Sequence, residues 1–156
     1  MKNLITDAET FAFLKERANQ YEANGFPGCD LPFIPVLSLF NRFPGIATTF
    51  CCTGHPEQDD NRFYICIAVD ESGNLHLGEI YANILKTITE DSPKPQGYEL
   101  PDQFKLRLYY DTSTDIRDLD KFYSHWLIDY EVYSEGDVNR IILAFTQALK
   151  SQLKKI

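Results

Sequence analysis

Hydrophobic and polar positions in the first third of the chain follow a helical period. Apolar residues recur at three- and four-residue steps across 11–21, and Thr6 with Glu9 ahead of them matches a capping box. A first helix is therefore predicted over 7–24. The next segment holds three prolines and is predicted to be a loop, followed by a short helix over 35–43.

The middle of the chain changes to the composition of strands. Residues 46–52 and 63–69 are rich in β-branched and aromatic side chains, and the polar stretch TGHPEQDDN separates them. The second of these strands, FYICIAV, is apolar on both faces, which is typical of a central strand. The sequence DESGN at 70–74 then predicts a turn.

The last part of the chain alternates between the two periods. Apolar residues at helical spacing predict a core-facing helix that starts near Leu77 and ends before Pro93. Strict alternation over 104–110 and 126–132 predicts two strands, and a final amphipathic helix is predicted from Ser134. The order ααββαββα indicates an α+β fold, with a mostly antiparallel four-stranded sheet and helices packed mainly on one face.

Composition limits the classes of function. The 156 residues fit one domain, 1–156, and the net charge of -8 disfavours binding to double-stranded nucleic acid. The chain contains no apolar run long enough to span a membrane. Its four cysteines include two adjacent ones, which is a poor disulfide framework, so we expect reduced thiols and a cytoplasmic location.

The segment TTFCCTGH at 48–55 is the most distinctive candidate for chemistry. Walker A, dinucleotide-binding, H-E-x-x-H and G-x-S-x-G motifs are all absent from the sequence. Successive strand residues point to opposite faces, so Cys51 is predicted to face the core while Cys52 joins Gly54 and His55 at the strand end.

This segment supports several interpretations. Backbone N–H groups after the strand would form a concavity that binds a polar or nucleotide-like molecule. The ligand-binding residues predicted on this basis are Thr48, Thr49, Cys52, Thr53, Gly54, His55 and Arg62. Alternatively, the three cysteines at 51, 52 and 66 are small buried hydrophobes and the glycine only serves a turn.

Metal binding and thiol catalysis are two further interpretations. Cys52 and His55 provide half of a zinc ligand set. The candidates for completing it are Cys29, His125, Glu57 and Asp59. As a nucleophile, Cys52 would instead be activated by the neighbouring imidazole.

The stretch TTFCCTGHPE with the strand FYICIAV also resembles a group of small bacterial and phage proteins. In those proteins a helix, a glycine, Thr-x-x-Cys-Cys-x-Gly-His and a strand follow one another. The segment is faintly similar as well to the Ser-Cys-Ser-Gly-Arg segment of the wybutosine-pathway tRNA methyltransferase, with His55 in place of the arginine. The first resemblance implies that Cys52, Gly54 and His55 form a recurring functional unit, in the host cytoplasm if the protein is phage-encoded.

A second surface is predicted on the last two strands, where polar side chains would share a solvated face. Its members are Arg107, Tyr109, His125 and Asp129. Taken together, the sequence favours a small binding protein for a polar or nucleotide-like molecule. The alternatives are an acidic protein-protein interaction module, such as a phage-type inhibitor of a host enzyme, and a zinc-dependent or thiol enzyme.

Overall fold

The computed structural model describes residues 5–91, 106–113 and 123–156. Within these residues the chain forms four α-helices and four strands, which are α1 (Ala8–Ala23), α2 (Ile34–Asn41), β1 (Ile46–Cys52), β2 (Arg62–Val69), α3 (Glu71–Asp91), β3 (Arg107–Ser113), β4 (Tyr123–Glu131) and α4 (Glu135–Leu153). Short 3₁₀ turns cover Leu31–Phe33 and Pro56–Gln58. The predicted α+β fold is confirmed, and the element order is the predicted one. None of the described helices is long and apolar enough to cross a membrane.

The four strands form one sheet in the order β1-β2-β4-β3, and each neighbouring pair is antiparallel. Strand β2 lies between β1 and β4, which confirms its prediction as a central strand. Among the described residues, β1 and β3 are the outer strands. A β-bulge interrupts β1 between Thr48 and Phe50 and shifts its pairing with β2 by one residue.

The main core lies between one face of this sheet and the helices α2, α3 and α4. Phe63 of β2 stacks on Phe33 at 4.7 Å between ring centroids and contacts Phe145 of α4 at 5.5 Å. Helix α1 lies on the opposite face, where Leu14 packs with Ala47 and Ala68 in a second, smaller cluster.

Two helix starts differ from the sequence prediction. The stretch 70–74 is not a turn, because α3 already begins at Glu71 and the carboxylate of Asp70 accepts a 2.9 Å hydrogen bond from the N–H of Gly73. Asp, Ser and Asn favour helix N-termini as much as turns, so their presence did not distinguish the two. Helix α1 is capped by Asp7, which accepts from the N–H of Thr10, rather than by the predicted threonine.

Of the predicted strand over 104–110, the structure describes residues 106–110, and strand β3 begins there at Arg107. Residues 104–105 of the predicted strand lie outside the described residues.

A polar cluster fastens α1 to the junction of α2 and β1. The ammonium of Lys15 donates to the backbone oxygens of Asn41, Phe43 and Ile46 at 2.9, 2.9 and 2.7 Å. Glu22 accepts from the side-chain amide of Asn41 at 2.7 Å. The carbonyls at a helix end have no partner within the helix, so Lys15 supplies hydrogen bonds where α2 stops.

Candidate metal centre

The segment after β1 makes a tight turn that places His55 back beside Cys52. Gly54 has a φ of +76°, and a Cβ atom at this position would lie 2.7 Å from Cγ2 of Val132. The backbones of His55 and Asp60 then form two hydrogen bonds, of 2.7 and 3.1 Å, that close the following loop. Only glycine meets both the conformational and the steric demand of this turn.

Three donor atoms of different chemistry face one another at this turn. The sulfur of Cys52 lies 3.9 Å from Nε2 of His55, and the same nitrogen lies 3.7 Å from Oδ1 of Asp30. All three donor atoms lie within 4.8 Å of one another, and the three residues are partly exposed. Asp30 comes from the loop between α1 and α2, so the cluster joins two separate parts of the chain.

Each of the three donors is oriented by a further contact. Oδ2 of Asp30 accepts from the N–H and the hydroxyl of Thr53 at 3.1 and 3.2 Å, which leaves Oδ1 turned toward His55. The N–H of Gly54 donates to the sulfur of Cys52 at 3.4 Å. Nδ1 of His55 faces a carboxylate oxygen of Glu57 at 3.9 Å. Contacts of this kind fix the direction of metal ligands.

The surroundings of Cys52 disfavour its thiolate. Burial raises the pKa of the Cys52 thiol, and the negative charges of Asp30 and Asp60 raise it further, whereas the N–H of Gly54 lowers it. The nearest oxygen of Asp60 lies 3.9 Å from the sulfur. A positive ion at this position would be attracted by the same charges that oppose a free thiolate.

The imidazole has a carboxylate beside each of its two nitrogens. In a nucleophilic relay the imidazole contacts the nucleophile through one nitrogen and a carboxylate through the other. Nε2 of His55 faces Cys52 and Nδ1 faces the exposed Glu57, both at 3.9 Å, and the raised pKa of Cys52 disfavours the thiolate that a relay needs. Nε2 also lies 3.7 Å from Asp30, and this second partner on the same nitrogen fits an ion held in common by three donors.

The donor separations are close to those of a zinc site. Zinc–sulfur bonds of about 2.3 Å and zinc–nitrogen or zinc–oxygen bonds of about 2.0 Å place tetrahedral donors roughly 3.3 to 3.6 Å apart. The nitrogen–oxygen and sulfur–nitrogen separations of 3.7 and 3.9 Å in this structure exceed these values by a few tenths of an ångström. Small side-chain rotations would therefore close the set around an ion.

A cleft of about 690 Å³ is lined by two of the three donor residues, Asp30 and His55. Asp30 and His55 form part of one wall, and the start of α4 with Tyr133 and Glu135 forms the other. Leu31 at its edge is 79% exposed and Tyr133 is 66% exposed, so apolar surface is available next to the polar cluster. The cleft has room for a small molecule.

The structure separates the residues predicted to bind a ligand. Cys52, Thr53, Gly54 and His55 lie together, but the N–H groups of the last three already donate to Asp30, Cys52 and Asp60 and are not offered to an anion. Thr48 and Thr49 line a different pocket, of about 430 Å³, beside α1. Arg62 lines a third pocket, of about 350 Å³, with Arg107 and Asp129.

The residues predicted to complete a metal set are also separated. Glu57 lies near the imidazole, whereas the sulfur of Cys29 lies 3.9 Å from that of Cys51. His125 is on β4 opposite Asp111, and Asp59 lines the pocket of Arg62. Sequence reasoning missed Asp30, whose only local signal is its place in the loop that also holds Cys29.

The second predicted surface is buried in part, and its prediction as a solvated face is wrong for two residues. His125 and Asp129 are each 2% exposed. Asp129 accepts two hydrogen bonds from Arg107, at 2.9 and 2.7 Å, and one of 3.3 Å from Arg62. Two guanidinium partners compensate the charge of this buried carboxylate. The alternation of polar and apolar residues does not show these partners, so it did not predict the burial of Asp129. Tyr109 lies opposite Leu127 in the β3–β4 pairing.

Comparison with known proteins found no matching family model, no matching curated protein and no matching solved structure.

Proposed function

We propose that this protein binds a divalent ion of the zinc class through Asp30, Cys52 and His55 and uses it to hold a small polar ligand in the adjacent cleft. The observation that supports this most strongly is the convergence of three oriented donor atoms, with Nε2 of His55 between the carboxylate and the sulfur. Thiolate, imidazole and carboxylate together are a donor set that zinc accepts and that magnesium and calcium do not prefer.

The number of donors favours an open site. Structural zinc sites use four protein ligands, whereas zinc sites that bind water or substrate keep one position free. Three donors, two of which line a cleft of about 690 Å³, match the second type. A bound zinc ion would act as a Lewis acid at this place. The same site would then also suit an enzyme that hydrolyses its ligand.

The charge around the cleft limits the ligand. Glu57 and Glu135 line it together with Asp30, so a strongly anionic nucleotide would meet repulsion. The exposed side chains of Leu31 and Tyr133 would contact an apolar part of the ligand. We therefore propose a neutral or cationic molecule with one oxygen, nitrogen or sulfur atom that binds the ion.

Direct zinc titration tests this proposal. The reduced protein, first freed of metal with a chelator, is titrated with zinc in competition with a chromophoric chelator. We expect one site in the wild type and an affinity lowered about 100-fold or more in Asp30→Asn, Cys52→Ser and His55→Gln, because each substitution removes a donor. Magnesium at the same concentrations should not compete.

Two matched variants control for effects of substitution alone. Asp59→Asn changes an exposed carboxylate of the same loop, and Cys29→Ser changes a thiol next to a proposed ligand. Both should bind zinc as the wild type does. Wild-type affinity in Cys52→Ser, or equal competition by magnesium, would reject the proposed site.

A further inference from the structure

Two thiols that are not among the proposed metal donors lie side by side. The sulfur atoms of Cys29 and Cys51 are 3.9 Å apart. Cys29 belongs to the loop between α1 and α2, and Cys51 lies on β1 and packs against the main core. We propose that these two residues form a redox-active pair that closes to a disulfide and thereby controls the metal centre.

The geometry requires only a small movement for the bond to form. A disulfide has a sulfur–sulfur distance of about 2.05 Å, so the two atoms must approach by roughly 2 Å. The loop that carries Cys29 contains Gly28, which has a φ of +77° and no atom within 4 Å of the place where a Cβ would stand. Gly28 is exposed and unhindered at this point of the loop, so a backbone adjustment next to Cys29 meets little resistance there, while Cys51 is held by the sheet.

The pair is also accessible to a small oxidant. A pocket of about 430 Å³ between α1 and β1 is lined by both cysteines, together with Tyr21 and Thr48. The other free cysteines are differently placed, because Cys66 is buried on β2 and Cys52 belongs to the metal centre.

The reaction uses a small disulfide such as oxidised glutathione as the oxidant. The thiolate of one cysteine attacks a glutathione sulfur, and the glutathione sulfur–sulfur bond breaks with release of one reduced glutathione. The second cysteine then attacks the mixed disulfide and releases the other glutathione. Two thiols of the protein are oxidised, one glutathione disulfide is reduced, and the two thiol protons end on the two glutathiones.

The link to the metal centre follows from the chain and rests on the proposed function. Cys29 directly precedes Asp30, and Cys51 directly precedes Cys52. Moving Cys29 toward β1 also moves Asp30, the next residue in the chain, and changes the position of its carboxylate relative to His55. In a bound site the metal–donor distances stay within about 0.2 Å of their usual values, so such a change weakens binding. We expect the oxidised protein to bind zinc about tenfold more weakly, or worse.

The first experiment tests the bond itself without any metal. The reduced protein is incubated with oxidised glutathione at about pH 8.5, where more thiolate is available for exchange. Of the four free thiols, two should remain, and the mass should fall by about 2 Da. After digestion at Lys and Arg, peptide 18–42, which holds Cys29, should be linked to peptide 43–62, which holds Cys51 and Cys52.

Single variants identify the partner within the second peptide. The link should persist in Cys52→Ser and be lost in Cys51→Ser. Four remaining thiols in the oxidised wild type, or a link that survives in Cys51→Ser, would overturn the proposed pair.

The second experiment tests control of the metal centre. Zinc affinity is measured for the reduced wild type, for the oxidised wild type and for the oxidised protein after treatment with a dithiol reductant. The affinity should fall on oxidation and return on reduction, whereas the Cys29→Ser and Cys51→Ser double variant should not respond. Unchanged affinity in the linked protein would overturn the control mechanism.

The two proposals fail in different ways. A reduced protein that does not bind zinc rejects the metal site, while the thiol count and the linked peptides still decide the disulfide. A protein that binds zinc but forms no link rejects the disulfide and leaves the metal site supported.

Discussion

At the scale of single residues, Gly54 determines the shape of the candidate metal centre. Its φ is +76° and a Cβ would lie 2.7 Å from Val132. We predict that Gly54→Ala lowers the free energy of unfolding by about 1 to 3 kcal/mol and weakens zinc binding, because the turn must distort. Urea unfolding and the zinc titration measure the two effects.

Gly78 is the matched control for this substitution. It lies on an exposed part of α3, and nothing lies within 4 Å of its Cβ position. Gly78→Ala should raise the free energy of unfolding by about 0.5 to 1 kcal/mol, since alanine is the better helix former. Equal stability of the two alanine variants would contradict the turn geometry described here.

The candidate site was predictable only where its residues are close in sequence. Cys52, Gly54 and His55 stand out because a strand ends in a glycine turn. Asp30 was not predictable, since its position 22 residues before Cys52 results from how the loop after α1 packs, which no spacing rule describes.

The alternation of side chains along a strand also does not give the correct direction of the two adjacent cysteines. Strict alternation from the buried Ile46 would turn Cys52 toward the core. The bulge between Thr48 and Phe50 reverses this, so that Cys51 lies opposite the core residue Ile65. Cys51 packs against the core, as predicted, but the bulge is the reason.

At the scale of elements, Lys15 attaches α1 to the rest of the fold. Its ammonium supplies hydrogen bonds to three backbone oxygens near the end of α2. We predict that Lys15→Met lowers the free energy of unfolding by about 1 to 3 kcal/mol, because these acceptors lose their donor. Lys150→Met, at an exposed position of α4, should change the free energy of unfolding by less than about 0.5 kcal/mol.

Lys15 also makes the free energy of unfolding depend on pH. Burial lowers the pKa of Lys15 from 10.5 to about 8, although the charges of Glu22 and Asp70 act in the opposite direction. Between these two pH values the unfolded chain binds more protons at this residue than the folded protein does. The contribution of Lys15 to the free energy of unfolding should therefore rise with pH across this interval.

Unfolding measured from about pH 7 to about pH 10 tests this sign. Other groups titrate in the same interval, so the relevant quantity is the stability of the wild type minus that of Lys15→Met. A difference that falls as the pH rises would contradict the lowered pKa.

The elements themselves were largely predictable. The spacing of hydrophobic residues and the β-branched composition predicted the order of all eight helices and strands. Strand β1 has the predicted bounds of Ile46–Cys52. Helix starts were less predictable because the residues that cap helices also make turns, as Asp70 shows. The face of the sheet that α1 covers depends on tertiary packing that its own sequence does not specify.

At the scale of the whole molecule, a bound ion would connect regions far apart in sequence. Asp30 precedes α2, whereas Cys52 and His55 follow β1. Zinc at about 100 times its dissociation constant should raise the free energy of unfolding by about 2.7 kcal/mol, because only the folded protein presents all three donors.

Thermal unfolding with zinc and then with excess chelator measures this stabilisation. The midpoint should rise with zinc by roughly 5 to 11 °C and return when the chelator is added. His55→Gln should show no rise at the same zinc concentration. A rise of equal size in that variant would assign the effect to other sites.

The bulge in β1 also affects how molecules of this protein interact with one another. Among the described residues, strand β1 is an outer strand. Its sequence IATTFCC contains neither charge nor proline, a composition that favours stacking into fibrils. A regular edge of this kind would offer evenly spaced hydrogen-bonding groups to a second chain. The extra residue breaks that spacing, and we therefore expect the irregularity that orients the cysteines to disfavour pairing of this edge with a second chain.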